Sequence, residues 1–470
     1  MITLASFLVT LAILIAVHEY GHYRMAVACQ VKVLRFSIGF GPVIWRRRKG
    51  ADGCEFAVSL LPLGGYVRML DEREAPVDPQ LAVHAYNRRP LWQRSAIVAA
   101  GPLANLILAV ILYAGISWIG EMQPKAVLAK PSVGTAAEQA GLRSGDWIQS
   151  WSLDGQEWEP VRSLTDLNWD LARLGADTQS VEFLVSDLAG RGSRRVSLRL
   201  SPPTSSESEL ARGPKLGLGM PFSEPTLGEV RAQGPAAQAG LRPGDRVLRV
   251  DDKIIEDAQS LKALIRAFRP ATTPSVDAAT GSDGQDTKPV GMRWVIERQG
   301  QVITLEVTPR MHREGDSPAV GRIDAYVGAP PEMVQVRRGW WEGWAHGLAR
   351  TWDISWISLK MLGKMLIGEA SFRNLSGPLT IADYAGKSAQ TGWLTYLGFL
   401  ALISVSLGVL NLLPLPMLDG GHLMYHLFEG LTGRPVPDVW LDRLQKGGVA
   451  LLVVLMSVAL FNDVVRLLGL

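Results

Sequence analysis

The chain has 470 residues, 47% of them apolar and 20% charged, with a formal net charge of +3 and a mean hydropathy of +0.12. So small a charge excludes the electrostatic footprint of a nucleic-acid binder. Apolar and charged residues are also segregated into separate stretches, which a single soluble globule does not need.

In chain order, four windows are long, apolar and almost uncharged: residues 1–17, 95–120, 388–418 and 447–462. A bilayer core of about 30 Å takes about 20 helical residues. The first window reaches that length by running on through His22, giving a span at 1–24. The fourth accepts Asp463 and Arg466 near its end, giving a span at 447–470. No Lys or Arg precedes the first window and bulky charged residues follow it, the pattern of a retained span and not of a cleaved secretory signal. Between the first two spans, residues 23–95 carry 12 Lys/Arg against 6 Asp/Glu, and short basic loops stay on the cytoplasmic side. Both termini and residues 121–387 are then expected on the exported side, in a periplasm or its equivalent. Cys29 and Cys54 both lie in the cytoplasmic loop, so the exported region must be held by its core.

That region carries a repeat. Ala137-Glu138-Gln139-Ala140-Gly141-Leu142-Arg143-Ser144-Gly145-Asp146 recurs 99 residues later as Ala236-Ala237-Gln238-Ala239-Gly240-Leu241-Arg242-Pro243-Gly244-Asp245. Each copy reads as a short helix stopped by glycine, a Gly-Asp turn, then a strand, at 147–151 and 246–250. The pattern resembles PDZ domains, which implies two α/β domains, at 125–220 and 221–312, able to take peptide C-termini by strand addition. The plainer reading of both copies, as spacers or size filters, stays open. Residues 271–289 are loop chemistry, an insertion in the second copy. From 341 to 366, large apolar residues recur at helical spacing among Glu342, Arg350, Asp353, Lys360 and Lys364. Those charges favour amphipathic helices lying on the membrane, across residues 335–385.

The chemistry starts with His18-Glu19-Tyr20-Gly21-His22 at the tip of the first span. On a helix, positions i and i+4 lie about 40° apart in azimuth and about 6 Å apart in rise, so both imidazoles can address one ion with Glu19 beside it as a base. Ionisable groups at the end of a lipid span are costly and usually functional; the alternative is a pair of surface histidines just past the lipid edge. A hydrolytic zinc site needs a third protein ligand and an open position. The candidate is Asp419, in Asn411-Leu412-Leu413-Pro414-Leu415-Pro416-Met417-Leu418-Asp419-Gly420-Gly421. Here two prolines break a span, and unwound backbone is tolerated only beside protein or a polar cavity. Asp419 as a helix cap is the alternative. With four spans, the first and third both run inward, so His22 and Asp419 reach the same depth. If residues 341–366 crossed the membrane, they would not.

Together these motifs resemble the site-2 protease family of intramembrane zinc metalloproteases, over the whole chain. The resemblance implies a multi-pass α-helical membrane protein with four transmembrane helices, two inserted PDZ-like α/β domains and a membrane re-entrant β-hairpin in residues 30–75. The second span lies at 95–120 and the third, with the proline motif, at 390–422. It implies Zn2+ held by His18, His22 and Asp419, Glu19 as catalytic base, and a substrate site with Asn411, Pro414 and Pro416. Ser406 stands where close relatives have a second Asn, which alters substrate positioning there. Gly101-Pro102-x-x-Asn105 is similar to a further signature that packs beside the first span, and Asn374-Leu375-Ser376-Gly377-Pro378 to one that follows the PDZ pair. The implied partner is a transmembrane protein substrate of the anti-sigma-factor type, cut once beforehand, with remnant signal peptides as further substrates, in the lipid of a bacterial inner membrane. The β-prone run at 56–61 is expected to hold the substrate extended. The rival is a catalytically inactive, membrane-anchored PDZ scaffold; a transporter is a third reading, though inverted repeats are not visible.

Overall fold

The computed structural model describes residues 2–48, 53–73, 76–174, 178–200, 215–269, 291–313, 319–368 and 377–468. Residues 271–289 and Asn374 to Ser376, both singled out above, lie outside these. The chain divides into two compact units, Met1–Glu121 with Arg337–Leu470, and Met122–Val336.

In the first unit, four helices are long and apolar enough to cross a membrane: Ile2–Ala28, Leu91–Ile119, Trp393–Asn411 and Val439–Val465. They fall on the four apolar windows. Much of their large apolar surface is uncovered, with Phe461 68%, Val453 60% and Ile107 59% exposed, which is stable only against an apolar surrounding. The second helix is central, packing against the first, the third, the helix Trp340–Leu366 and the helix Asp419–Thr432. It does so through small residues, Gly101, Ala109 and Ala114, all buried, which let backbones approach closely. Ser404 of the third helix donates to the Asn105 carbonyl at 2.7 Å, and Tyr396 donates to the Ser6 carbonyl at 2.9 Å. Both tie the third helix to the bundle.

The helix Trp340–Leu366 has 27 residues but is not apolar enough to join the four. Its Gly343 and Gly347 pack against Trp118 and the Val110 carbonyl of the second helix. The large residues Trp341, Leu348, Trp352 and Trp356 point outward. Much of the stripe read from the sequence is therefore turned away from the protein, although Trp344 packs edge-on against Trp118 at 5.3 Å, and the glycines give the closest helix contact. After it, the helix Pro378–Thr391 is capped from a distance: Asp463 of the last helix, 1% exposed, accepts the backbone N–H groups of Gly377, Leu379 and Thr380 and the Thr380 hydroxyl.

Strands Val33–Arg48 and Glu55–Met69 form a hairpin that folds back on itself. Residues 33–38 pair both with 65–69 and with 55–58, and 43–48 pair with 55–59. The rows therefore run 65–69, 33–38, 55–59, 43–48. The run at 56–61, expected to grip an extended substrate, has neighbours on both sides over 56–58, so its hydrogen bonds there are spent. The row 65–69 is an edge, and among the described residues no strand pairs with its other side.

The second unit holds the two repeat copies. Each has a four-stranded sheet in equivalent order. In the first copy the strands run Glu159–Pro160, Trp147–Ser152, Ser180–Ser186, Arg194–Arg199; in the second, Lys253–Ile254, Arg246–Val250, Met292–Arg298, Gln301–Val307. The repeat reappears atom by atom. Arg194 pairs with Asp146 and the Gly141 carbonyl, and Arg298 with Asp245 and the Gly240 carbonyl. Asp146 and Asp245 each accept the N–H of the arginine three residues before, at 2.7 Å. Each copy has its own core, around Phe183 and Leu198 in one and Trp294 and Leu261 in the other. The second core takes in Ile323 and Val327, beyond residue 312. Asp257 caps the helix Ala258–Ala267 through Ser260 and also accepts from the Ser144 hydroxyl and the Lys130 N–H, joining the copies.

Candidate active site

The first helix presents His18, Glu19 and His22 on adjacent turns, and its crossing with the second helix is close at two glycines. A Cβ on Gly21 would overlap the Ala100 carbonyl, and one on Gly101 would overlap the His22 ring. Glycine here leaves room for the imidazole between the helices. His22 Nδ1 lies 2.8 Å from the Ile97 carbonyl. A carbonyl only accepts, so Nδ1 carries the proton and Nε2 is left with its lone pair.

The third helix stops at Asn411. The turn through Pro414 and Pro416 leads to Asp419, which opens the helix Asp419–Thr432. Gly420 and Gly421 lie tight against the carbonyls of Leu413 and Leu415, so a larger residue at either position would push that helix off the turn. The N-cap is Leu418, and no side chain caps the helix. The Asp419 carboxylate instead reaches the histidines: Oδ2 lies 3.2 Å from His18 Nε2 and Oδ1 3.6 Å from His22 Nε2, with the two Nε2 atoms 3.2 Å apart. Arg94 at the start of the second helix pairs with Glu429 at 2.5 Å, fixing the Asp419 helix to the same frame.

Three donor atoms thus face one point. For tetrahedral ligands about 2.0 to 2.1 Å from a zinc ion, neighbouring donors lie about 3.3 Å apart. The two Nε2 atoms, 3.2 Å apart, match one edge of that tetrahedron. The carboxylate closes on them with Oδ2 towards His18 and Oδ1 towards His22, one ligand atom from each of the three residues lying within 4.8 Å of the others. Two imidazole lone pairs this close also call for a proton or a cation between them. The donor set of two nitrogens and one carboxylate oxygen suits zinc and leaves a fourth position.

Glu19, His22 and Asp419 line a cavity of about 830 Å³ with Val67, Arg68 and Met69 of the hairpin edge row. A Cβ on Gly65 would overlap the Glu19 side chain, so that row starts against the acid. Farther in, burial and then Arg94 push the His426 pKa down to about 4, and burial holds the Tyr86 phenol up at about 12. Both are uncharged at neutral pH. Asn411, Pro414 and Pro416 are not among the lining residues; they shape the turn that carries Asp419. The Ser406 hydroxyl is bonded at 3.0 Å to Leu402 of its own helix. Sequence reading missed the Ile97 carbonyl and the Asn105 side chain, which touch the two histidines. Asn105 was legible only as packing.

The profile of Peptidase family M50 matches residues 6–455, and the chain belongs to that family, the site-2 proteases. A Ralstonia nicotianae protein provisionally named a zinc metalloprotease is 40% identical over 479 residues, covering 99% of each chain. The regulator of sigma-E protease of Escherichia coli is 36% identical over 485 residues, 99% of this chain and 98% of its own. A Neisseria meningitidis protein named in the same provisional way is 37% identical over 484 residues, 99% of this chain and 100% of its own. The protein is a metalloprotease of that family, with four helices long and apolar enough to cross a membrane.

Proposed function

We propose that the chain is an intramembrane zinc endopeptidase that cuts single-span membrane proteins of the anti-sigma-factor type after a first cleavage, with His18, His22 and Asp419 as zinc ligands and Glu19 as the catalytic base. The convergence of one donor atom from each of His18, His22 and Asp419, all within 4.8 Å of one another, beside a buried glutamate carries this reading. Zinc bound there would lower the pKa of a coordinated water towards about 7 and polarise a substrate carbonyl. Glu19 then takes the water's proton and returns it to the leaving nitrogen. A helical substrate hides its carbonyls in intrahelical hydrogen bonds and must be extended first. The edge row 65–69, running past Glu19, supports binding by strand addition, which holds the backbone straight while leaving side chains free.

The two repeat copies act as PDZ-type domains on the exported side of a bacterial inner membrane, with both termini exported and the active site towards the cytoplasm. In the second copy, a groove of about 470 Å³ between Lys262, Ile265 and Arg266 on one wall and strand Ala325–Val327 on the other favours a peptide ligand, with Arg322 at one end to meet a carboxylate. The basic loop at 23–95 supports the orientation.

The test is Glu19→Gln in the purified, zinc-loaded protein with a pre-trimmed single-span substrate. Cleavage falls by about two to four orders of magnitude, since a general base contributes about 10²–10⁴-fold, while one zinc per chain remains. Retained cleavage refutes Glu19 as base. Absence of zinc in the wild type refutes the zinc site and favours the scaffold.

A further inference from the structure

Beyond the ligand set, the second helix holds a buried amide with no structural task of its own. Asn105 is fully buried. Its side-chain nitrogen lies 3.3 Å from His18 Nδ1, and its side-chain oxygen is buried without a hydrogen-bond partner. A buried polar atom left unpaired keeps the full cost of its lost hydration, so it calls for an explanation.

The neighbouring histidine supplies it. His22 is locked by the Ile97 carbonyl with its proton on Nδ1 and its Nε2 free. For His18 to offer Nε2 to the same point, its proton must also sit on Nδ1 and needs an acceptor there. The orientation drawn puts the Asn105 NH2 at that spot, which leaves the His18 proton on Nε2, pointing at Asp419. That arrangement is self-consistent without a cation and excludes one. Turning the amide by 180° keeps its shape, brings the oxygen to Nδ1 and sets the NH2 where the oxygen was.

We propose that Asn105 is a positioning residue for zinc: its side-chain oxygen accepts the Nδ1–H of His18, fixing the tautomer and ring angle that turn Nε2 to the metal. The Ile97 carbonyl does the same for His22, so both imidazoles are oriented by one helix. Such outer partners are worth about 10- to 100-fold in metal affinity. An amide serves both states, donating to His18 when the site is empty and accepting from it when the site is filled. A carboxylate serves only the filled one.

This rests on the zinc reading of the site, and the experiment separates the two. Zinc affinity of the detergent-purified full-length chain is measured by chelator competition for wild type, Asn105→Leu and Asn105→Asp. Asn105→Leu, which keeps the branched shape and loses the acceptor, weakens zinc by about 10- to 100-fold; Asn105→Asp, which can only accept, stays within about threefold of wild type or binds tighter. A wild type that binds no zinc overturns the site and this inference together. A zinc-binding wild type with Asn105→Leu unchanged, or with Asn105→Asp as weak as Asn105→Leu, overturns the inference alone. Nitrogen-15 shifts of His18 in the zinc-loaded wild type give a check independent of whether the variants fold: Nδ1 is the protonated nitrogen if the proposal holds, and an unprotonated Nδ1 refutes it.

Discussion

Gly101→Ala tests the geometry of the site with one methyl group. The added Cβ would lie 2.5 Å from His22 Cε1 and 2.8 Å from Cδ2, whereas carbon atoms rest at about 3.5–4.0 Å. The ring or the helix must therefore yield by about 1 Å. A zinc ligand tolerates only about 0.2 Å, and a misplacement of about 1 Å near the chemistry can cost about 10²-fold. The expected result is at least about a 100-fold loss of cleavage, with weakened zinc binding in chelator competition and a folded, detergent-soluble protein. Gly115→Ala is the matched control: it lies on the same helix, its Cβ would meet nothing within 4 Å, and activity should not change. If Gly101→Ala binds zinc and cleaves within about threefold of wild type, the packing of the imidazole against the second helix has been misjudged.

Three further outcomes are expected. Asp463→Ala strips one helix N-terminus of the acceptor for three backbone N–H groups and a hydroxyl; the loss should be about 2–4 kcal/mol, read as a lower midpoint in thermal unfolding, and an unchanged midpoint rejects the cap. A proline scan through residues 65–69 should abolish cleavage at positions whose N–H faces the open edge while leaving zinc affinity unchanged; full activity throughout would exclude strand addition there. Burial raises the Asp245 pKa, but the Arg298 hydrogen bonds and the Arg242 N–H outweigh it, and the carboxyl sits below its ordinary value. A carboxyl lowered in the fold contributes stability above its unfolded pKa of about 3.9, and that stability is lost as pH falls through the folded value. Hydrogen exchange in the second copy should therefore quicken below about pH 4, and Asp245→Asn should flatten that acid limb.

Much of this architecture was legible in the residues because its signals are local. Four apolar windows gave the long helices, a decapeptide repeated at 99 residues gave two matching lobes down to the Asp146 and Asp245 turns, and two short strings held the four side chains that meet at the cavity. What stayed hidden depends on partners distant in sequence. Periodicity finds an apolar stripe at 341–366 but does not say that glycines would take the protein side. β-propensity marks 56–61 yet cannot tell an inner row from an outer one, because row order depends on how each strand folds back. Asn105 reads as packing until His18, 87 residues away, is beside it.

The carbonyl at Ile97, the gap at Gly101 and the amide at Asn105 occur along two turns of a single rod. The centre thus has one common jig: a side-chain change at 101 or 105 reaches one imidazole, whereas a slide or tilt of that rod moves the partners of both together. The lateral seating of the second helix therefore bears on both histidines at once, through the Ile97 carbonyl and the Asn105 amide.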